Sequence, residues 1–184
     1  MLRATVATLA FLTAIGTLAA AVGDSATLVV NKRIGDVWAG ESRSRVVYDY
    51  GGGRKDGCVI GVAGCFGPIY RYRVEEGYLD IGYRTLDEHK RRIPARVVYL
   101  STNSPGYQTA SGLGVGTRIP YGKRWGVFRW LQCGPDESEW TAATSWLRPL
   151  SKYGRYRWWT RLYVDRGVVR TIAIWRGDVS LQGC

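Results

Sequence analysis

Apolar and polar residues alternate with a period of two along several stretches of the chain, and this pattern predicts strands. In Tyr70-Arg71-Tyr72-Arg73-Val74 every second residue is an arginine. Glu75-Glu76-Gly77 comes next, and then a second alternating run over residues 78–84, so the segment predicts a β-hairpin with a short glycine-containing loop. Tyr70, Tyr72 and Tyr78 are expected on the face opposite Arg71 and Arg73. Residues 157–164 and 168–175 flank Asp165-Arg166-Gly167 in the same way and predict a second hairpin. Another strand is expected over residues 96–102, after a charged loop at 87–92. One helix is indicated: Ser42 stands where it would cap a turn carrying Arg45, Val46 and Val47, and the glycines at 51–53 would end it. Residues 134–150 show no clean period.

A faint internal repetition runs through this pattern. One unit starts near Val29, with Ile34-Gly35-Asp36-Val37-Trp38-Ala39-Gly40 leading to Ser42 and Arg43. The other starts near Ala110, with Leu113-Gly114-Val115-Gly116 leading to Thr117 and Arg118. Pro120 restricts the segment after Thr117 to a turn or a broken helix. The hairpin loops also match, Val74-Glu75-Glu76-Gly77 against Val164-Asp165-Arg166-Gly167. The Ser-, Gly- and Pro-rich stretch at 103–112 is the natural boundary. The expected fold class is therefore α+β: two related units, each a short helix or turn followed by antiparallel strands, over residues 22–109 and 110–184.

Gly40, Ser42, Arg43, Val46, Val74 and Gly77, with Gly116, Arg118, Val164 and Gly167, resemble the pattern of small exported α+β repeat proteins. These are the SmpA/BamE outer-membrane assembly lipoproteins and the repeats of β-lactamase inhibitory proteins. The segment from Gly112 to Pro120 is also similar to stretches of secreted actinobacterial proteins. The resemblance implies a non-enzymatic scaffold that uses a sheet face for contact. No cysteine stands directly after the N-terminal apolar run, the first being Cys58, which departs from the lipoproteins.

That run changes the picture of where the chain works. Arg3, an uncharged stretch over residues 4–18 and Ala19-Ala20-Ala21 form the three parts of a secretory signal peptide over residues 1–21. The alternative is an uncleaved anchor, since the stretch is near the lower limit for crossing a bilayer. After cleavage no stable membrane span is expected, and the localisation is secreted or extracytoplasmic.

Export gives the four cysteines a meaning. Cys58, Cys65, Cys133 and Cys184 are expected in two disulfides, with three pairings open. Cys58 with Cys65 is favoured because small residues separate them, which leaves Cys133 with Cys184. No metal site is expected, for there is no C-x-x-C pair and His89 is the sole histidine. The formal net charge of +11 attracts polyanions, although an arginine-rich composition also arises from codon bias. Nucleic acid is not an expected partner of an exported chain.

The candidate chemistry is sparse. Triad catalysis needs a histidine, and His89 sits in a charged run typical of a solvated loop. Gly112, Gly114 and Gly116 lack the residues that complete a phosphate-binding loop, and alternate glycines point instead to a closely packed strand. No cofactor is expected. The strongest segment is basic and aromatic: Arg155, Arg157, Trp159 and Arg161 share one face of a straight strand, with Tyr156, Trp158, Thr160 and Leu162 on the other. Guanidinium groups beside an indole can grip an anion and stack on a ring, and they equally suit a solvent face. The expectation is a secreted, non-catalytic binding or envelope-associated protein. It would contact a protein or an anionic surface polymer through this Arg/Trp/Tyr face. The alternative is a secreted glycan hydrolase using Glu137 or Glu139, beside Trp140.

Overall fold

The computed structural model describes residues 28–61, 64–119, 124–125, 128–132, 138–143 and 158–177. The signal peptide, Cys133, Cys184, Glu137, Arg155 and Arg157 therefore lie outside the described residues. The fold is mostly antiparallel sheet with one short helix, a mixed α+β arrangement dominated by β.

Three two-residue strands come first: β1 (Leu28–Val29), β2 (Arg33–Ile34) and β3 (Val37–Trp38). Positive φ at Asn31 and Gly35 turns the chain between them. Helix α1 (Arg43–Tyr50) follows as the sequence predicts: Ser42 Oγ accepts the Arg45 N–H at 3.3 Å, and Gly51, at φ 76°, donates its N–H to Val47 O. Arg45 and Asp49 pair one turn apart at 2.9 Å, and Val46 alone is buried.

A meander of four strands comes next: β4 (Arg54–Gly61), β5 (Gly64–Val74), β6 (Gly77–Leu86) and β7 (Arg92–Thr102). The second half contributes β8 (Arg124–Trp125), β9 (Phe128–Gln132), β10 (Ser138–Ala143), β11 (Trp158–Asp165) and β12 (Val168–Arg176). All nine form one sheet in the order β4-β5-β6-β7-β12-β11-β10-β9-β8. The strands of the two halves meet where β7 pairs with β12, from Tyr99↔Trp175 to Thr102↔Ile172.

Period-two alternation decides which face each side chain takes. Tyr72, Leu79, Ile81, Leu100, Trp158, Leu162, Ile172 and Ile174 point to one face and bury with Leu28, Ile34, Val37 and Val46 from the small sheet and α1. One polar pair is sealed into this core. Thr160 Oγ1 accepts the Asn31 N–H at 2.6 Å and donates to Asn31 Oδ1 at 2.7 Å, which fixes the β1–β2 turn to β11.

Two expectations need correction. Tyr78 does not lie opposite Arg71 and Arg73: the register Arg73↔Tyr78 puts it on their face, while Tyr70 and Tyr72 take the other. The reason is the hairpin, which places directly paired residues on the same side whatever their spacing in the chain. The glycine run at 112–116 is not a strand but a turn-rich loop, with positive φ at Gly112 and Gly116. Gly114 does make the close approach expected of it, since a Cβ there would lie 2.8 Å from Tyr107 O.

Candidate functional site

The sheet face turned away from α1 carries the residues of interest. Strand pairing lines them up in two rows. One row reads Arg71, Asp80, Ser101, Ala173 and Arg161 across β5, β6, β7, β12 and β11. The adjacent row reads Ile69, Gly82, Tyr99, Trp175 and Trp159. Tyr78 stands one step beyond Asp80, and Tyr163 one step beyond Arg161, on the same face.

At the β5 end the Arg71 guanidinium is bidentate to Asp80, with Nε–Oδ1 and Nη2–Oδ2 both 2.8 Å. It also reaches Asp56 Oδ2 at 3.0 Å and lies 4.2 Å from the Tyr78 ring centroid. The fork matches a carboxylate in shape as well as charge, so Arg71 is locked in place and held protonated far into the alkaline range by that pairing. At the β11 end the Arg161 guanidinium lies 5.0 Å from the Trp175 ring centroid and 5.8 Å from that of Tyr163. Trp159 stacks on Trp175 at 6.3 Å and 19°. Short residues, Ser101 and Ala173, form the floor between the two ends and are buried. Tyr78, Tyr99, Trp159 and Tyr163 are half-buried around it. Burial pushes the Tyr99 phenol up to about 12, so it is a neutral donor and acceptor at physiological pH.

One corner of the face is covered. The β4–β5 hairpin is closed by the Cys58–Cys65 disulfide, the pairing the spacing favours. Its Val59 clusters with Val98 and Trp175, against Ile69, Tyr99 and Trp159. Gly82 leaves the room for this: a Cβ there would sit 2.5 Å from Val59 Cγ2. A bulge in β7 opposite Gly82 and Tyr83 puts the adjacent Val98 and Tyr99 together on this face, while Val97 and Leu100 bury on the core side.

The sequence-predicted strip is thus placed in part. Trp159 and Arg161 share this face, while Trp158, Thr160 and Leu162 take the core face, as the alternation requires. Sequence reasoning missed Asp80, Tyr99, Tyr163 and Trp175. Tyr163 continues the alternation from Arg161 and was findable, whereas Asp80 and Tyr99 reach the strip only through long-range pairing. Of the hydrolase candidates, Glu139 occupies the β10 register position opposite Tyr163.

A second cleft lies on the opposite side of the molecule, lined by Asp36, Trp38, Glu41, Arg45 and Asp49. Its groups are largely engaged with one another: Glu41 Oε2 accepts the Trp38 N–H at 2.9 Å, and Asp49 holds Arg45. His89 is exposed on its loop, 3.9 Å from Glu88. No helix among the described residues is long and apolar enough to cross a membrane. Compared with known proteins, the chain matches no family model, no curated protein and no solved structure.

Proposed function

We propose that this is an exported, non-catalytic binding protein that works at or near the cell envelope. Its contact surface is the Arg/Trp/Tyr face built from β5, β6, β7, β12 and β11. The observation that carries this reading is the cross-strand assembly itself. Two arginines, three half-buried tyrosines and a stacked tryptophan pair converge from five strands onto the side that α1 and the small sheet leave uncovered. Tyrosine, tryptophan and arginine are the residues that dominate binding energy at contact surfaces. The Cys58–Cys65 disulfide fits an oxidising compartment and supports the proposed signal peptide over residues 1–21. The two-unit organisation, residues 22–109 and 110–184, remains part of this proposal. So do the pairing of Cys133 with Cys184 and the roles of Arg155 and Arg157 in extending the strip.

The test is retention on envelope preparations from the producing cells. Replacing Trp159 and Arg157 together with Ala should weaken retention by about tenfold or more, the scale of a binding hot spot. The far-ultraviolet spectrum of the folded sheet should be unchanged. Retention equal to that of the wild type would refute the assignment of this face.

A further inference from the structure

We infer that the ligand of this face is a linear anionic polymer of the cell surface, its oxyanion groups lying along an arginine row that runs from β11 to β8; this inference names the ligand of the binding reading above and rests on it.

The positive excess is not spread evenly along the chain. Residues 22–109 contain 13 Lys and Arg against 10 Asp and Glu, whereas residues 110–184 contain 12 against 5. Strands β8 to β12 all come from the second stretch. Ten of its 12 basic residues are arginines, whose planar fork matches carboxylate and phosphate oxygens in pairs. The face divides the same way. At the β5 end Arg71 and Arg54 share Asp56, and Arg71 is bidentate to Asp80, so two guanidiniums meet two carboxylates. Past β11, the row that holds Arg161 continues through Thr141 on β10 and Arg129 on β9 to Arg124 on β8. None of these four positions is acidic. The one carboxylate beside them in the register is Glu139, the next position of the same face on β10.

Arginines at paired positions show what such a row calls for. Residues directly opposite in antiparallel strands share a face, and like charges there destabilise the sheet. Among the described residues three arginine pairs stand in this relation: Arg54↔Arg71, Arg84↔Arg96 and Arg124↔Arg129. The first two are relieved within the protein. Asp56 bridges Arg54 and Arg71, at 3.2 and 3.0 Å. Arg84 turns onto the Phe66 ring, 4.8 Å from its centroid, and donates its Nε–H to Leu86 O at 2.8 Å. For the third pair the row offers Thr141 and then a further arginine, Arg161. An oxyanion carried by a ligand would do for Arg124 and Arg129 what Asp56 does for Arg54 and Arg71.

The surroundings select a polymer. The arginines stand in a line across the strands. Arg161 is recessed in that line, 8% exposed beside the Trp175 and Tyr163 rings, and acts on a ligand chiefly through its charge. A membrane surface calls for apolar side chains that can enter it. The large exposed hydrophobics of the described residues, Trp38, Val47 and Tyr48, all belong to the α1 side. The centre of a protein–protein contact is apolar, and the apolar part of this face, Val59, Val98 and Trp175, is already buried in its own cluster. A line of like charges suits a thin chain with repeated charges of the opposite sign.

The experiment is affinity retention of the mature protein on teichoic acid and polygalacturonate, as phosphate and carboxylate polyanions. Chitin and cellulose serve as uncharged polymers, and vesicles of equal parts phosphatidylglycerol and phosphatidylcholine as an anionic membrane. A protein extract of the envelope is offered in parallel. Each is run at about 0.1 M and 1 M salt, where the Debye length falls from ~10 to ~3 Å. The expected result is retention on a polyanion that falls by roughly a hundredfold between the two salts, the counterion-release slope for three neutralised charges on a flexible chain. Arg124→Gln with Arg129→Gln should weaken retention at the lower salt by about tenfold or more and flatten the salt dependence to roughly fivefold. Without polymer this variant should melt no lower than the wild type, since it removes a like-charge pair. Lys90→Gln with Arg92→Gln takes the same charge from the exposed 87–92 loop. It should change retention by less than about threefold, because those charges lie off the row.

Retention on the uncharged polymers alone would overturn the inference. So would retention on the vesicles that equals or exceeds that on the polyanions, capture of envelope protein with no polyanion bound, or retention on none of the probes. Equal losses in the row variant and the loop variant would overturn it too, by leaving net charge as the cause. In each of these cases Trp159→Ala with Arg157→Ala, tested on whole envelope preparations in the same series, separates the two readings. If that variant is retained less than the wild type, the face binds and only its ligand is misassigned. If it is retained equally, the face itself is wrongly assigned.

Discussion

Tyr99 and Tyr107 show what burial does to single groups in this protein. Desolvation is the main cause in both, and it pushes each phenol from 10.0 up to about 12. A raised acid pKa means that the folded state holds its proton more tightly than the unfolded chain. The stability this represents is fully present below pH 10 and is lost as the pH rises towards 12. For Tyr107, 6% exposed, two pKa units correspond to about 3 kcal/mol. Urea unfolding at a series of alkaline pH values should show level stability to about pH 10 and a fall above it. In parallel, the phenolate absorbance of the native protein should rise in two stages. A single stage centred at the ordinary tyrosine value would contradict the burial. At this scale the sequence was only partly legible. The alternation that sorts Trp158, Thr160 and Leu162 from Trp159 and Arg161 is local and could be read directly. The side taken by Tyr78 depends on where the hairpin turns, and one residue of register reverses it.

The elements divide by how local their causes are. Helix α1 was legible because its cap and its stop are single residues, Ser42 and Gly51, a few positions apart. The hairpins were legible from alternation and acid-x-Gly loops, but the loops close differently. Val74 pairs with Gly77 around Glu75 and Glu76, while Asp165 pairs with Val168 around Arg166 and Gly167, both at positive φ. The latter is the primed turn that matches strand twist. The strands β1 to β3 left no signal, since two residues cannot show a period. The β4–β5 arm was legible only as a disulfide. Its structural role, laying Val59 over Gly82 and beside Trp175, comes from packing that no local pattern reports. Reducing Cys58–Cys65 should cost about 2–3 kcal/mol from the released loop. It should also shift tryptophan emission to the red as Trp175 and Trp159 gain water. Emission that stays unchanged on reduction would show that Val59 holds its place without the bond.

Over the whole molecule the decisive feature is the β7–β12 junction, which turns two sets of strands into one sheet of nine. Nothing local encodes that pairing, so the sequence predicted both hairpins and left strand β7 without a partner in the second half. The junction is what assembles the binding face, since it brings Arg71, Asp80 and Tyr99 into line with Arg161, Trp159 and Trp175. It also separates that face from Trp38 and Tyr48, which are 48% and 82% exposed on the α1 side. The two sides therefore make opposite predictions for one measurement: hydroxyl-radical footprinting of the mature protein, free and bound to envelope material, read residue by residue by mass spectrometry. Binding should protect Tyr78, Trp159 and Tyr163 and leave Trp38 and Tyr48 at their free-state rates. Protection of Trp38 and Tyr48, with no change at the other three, would contradict the account.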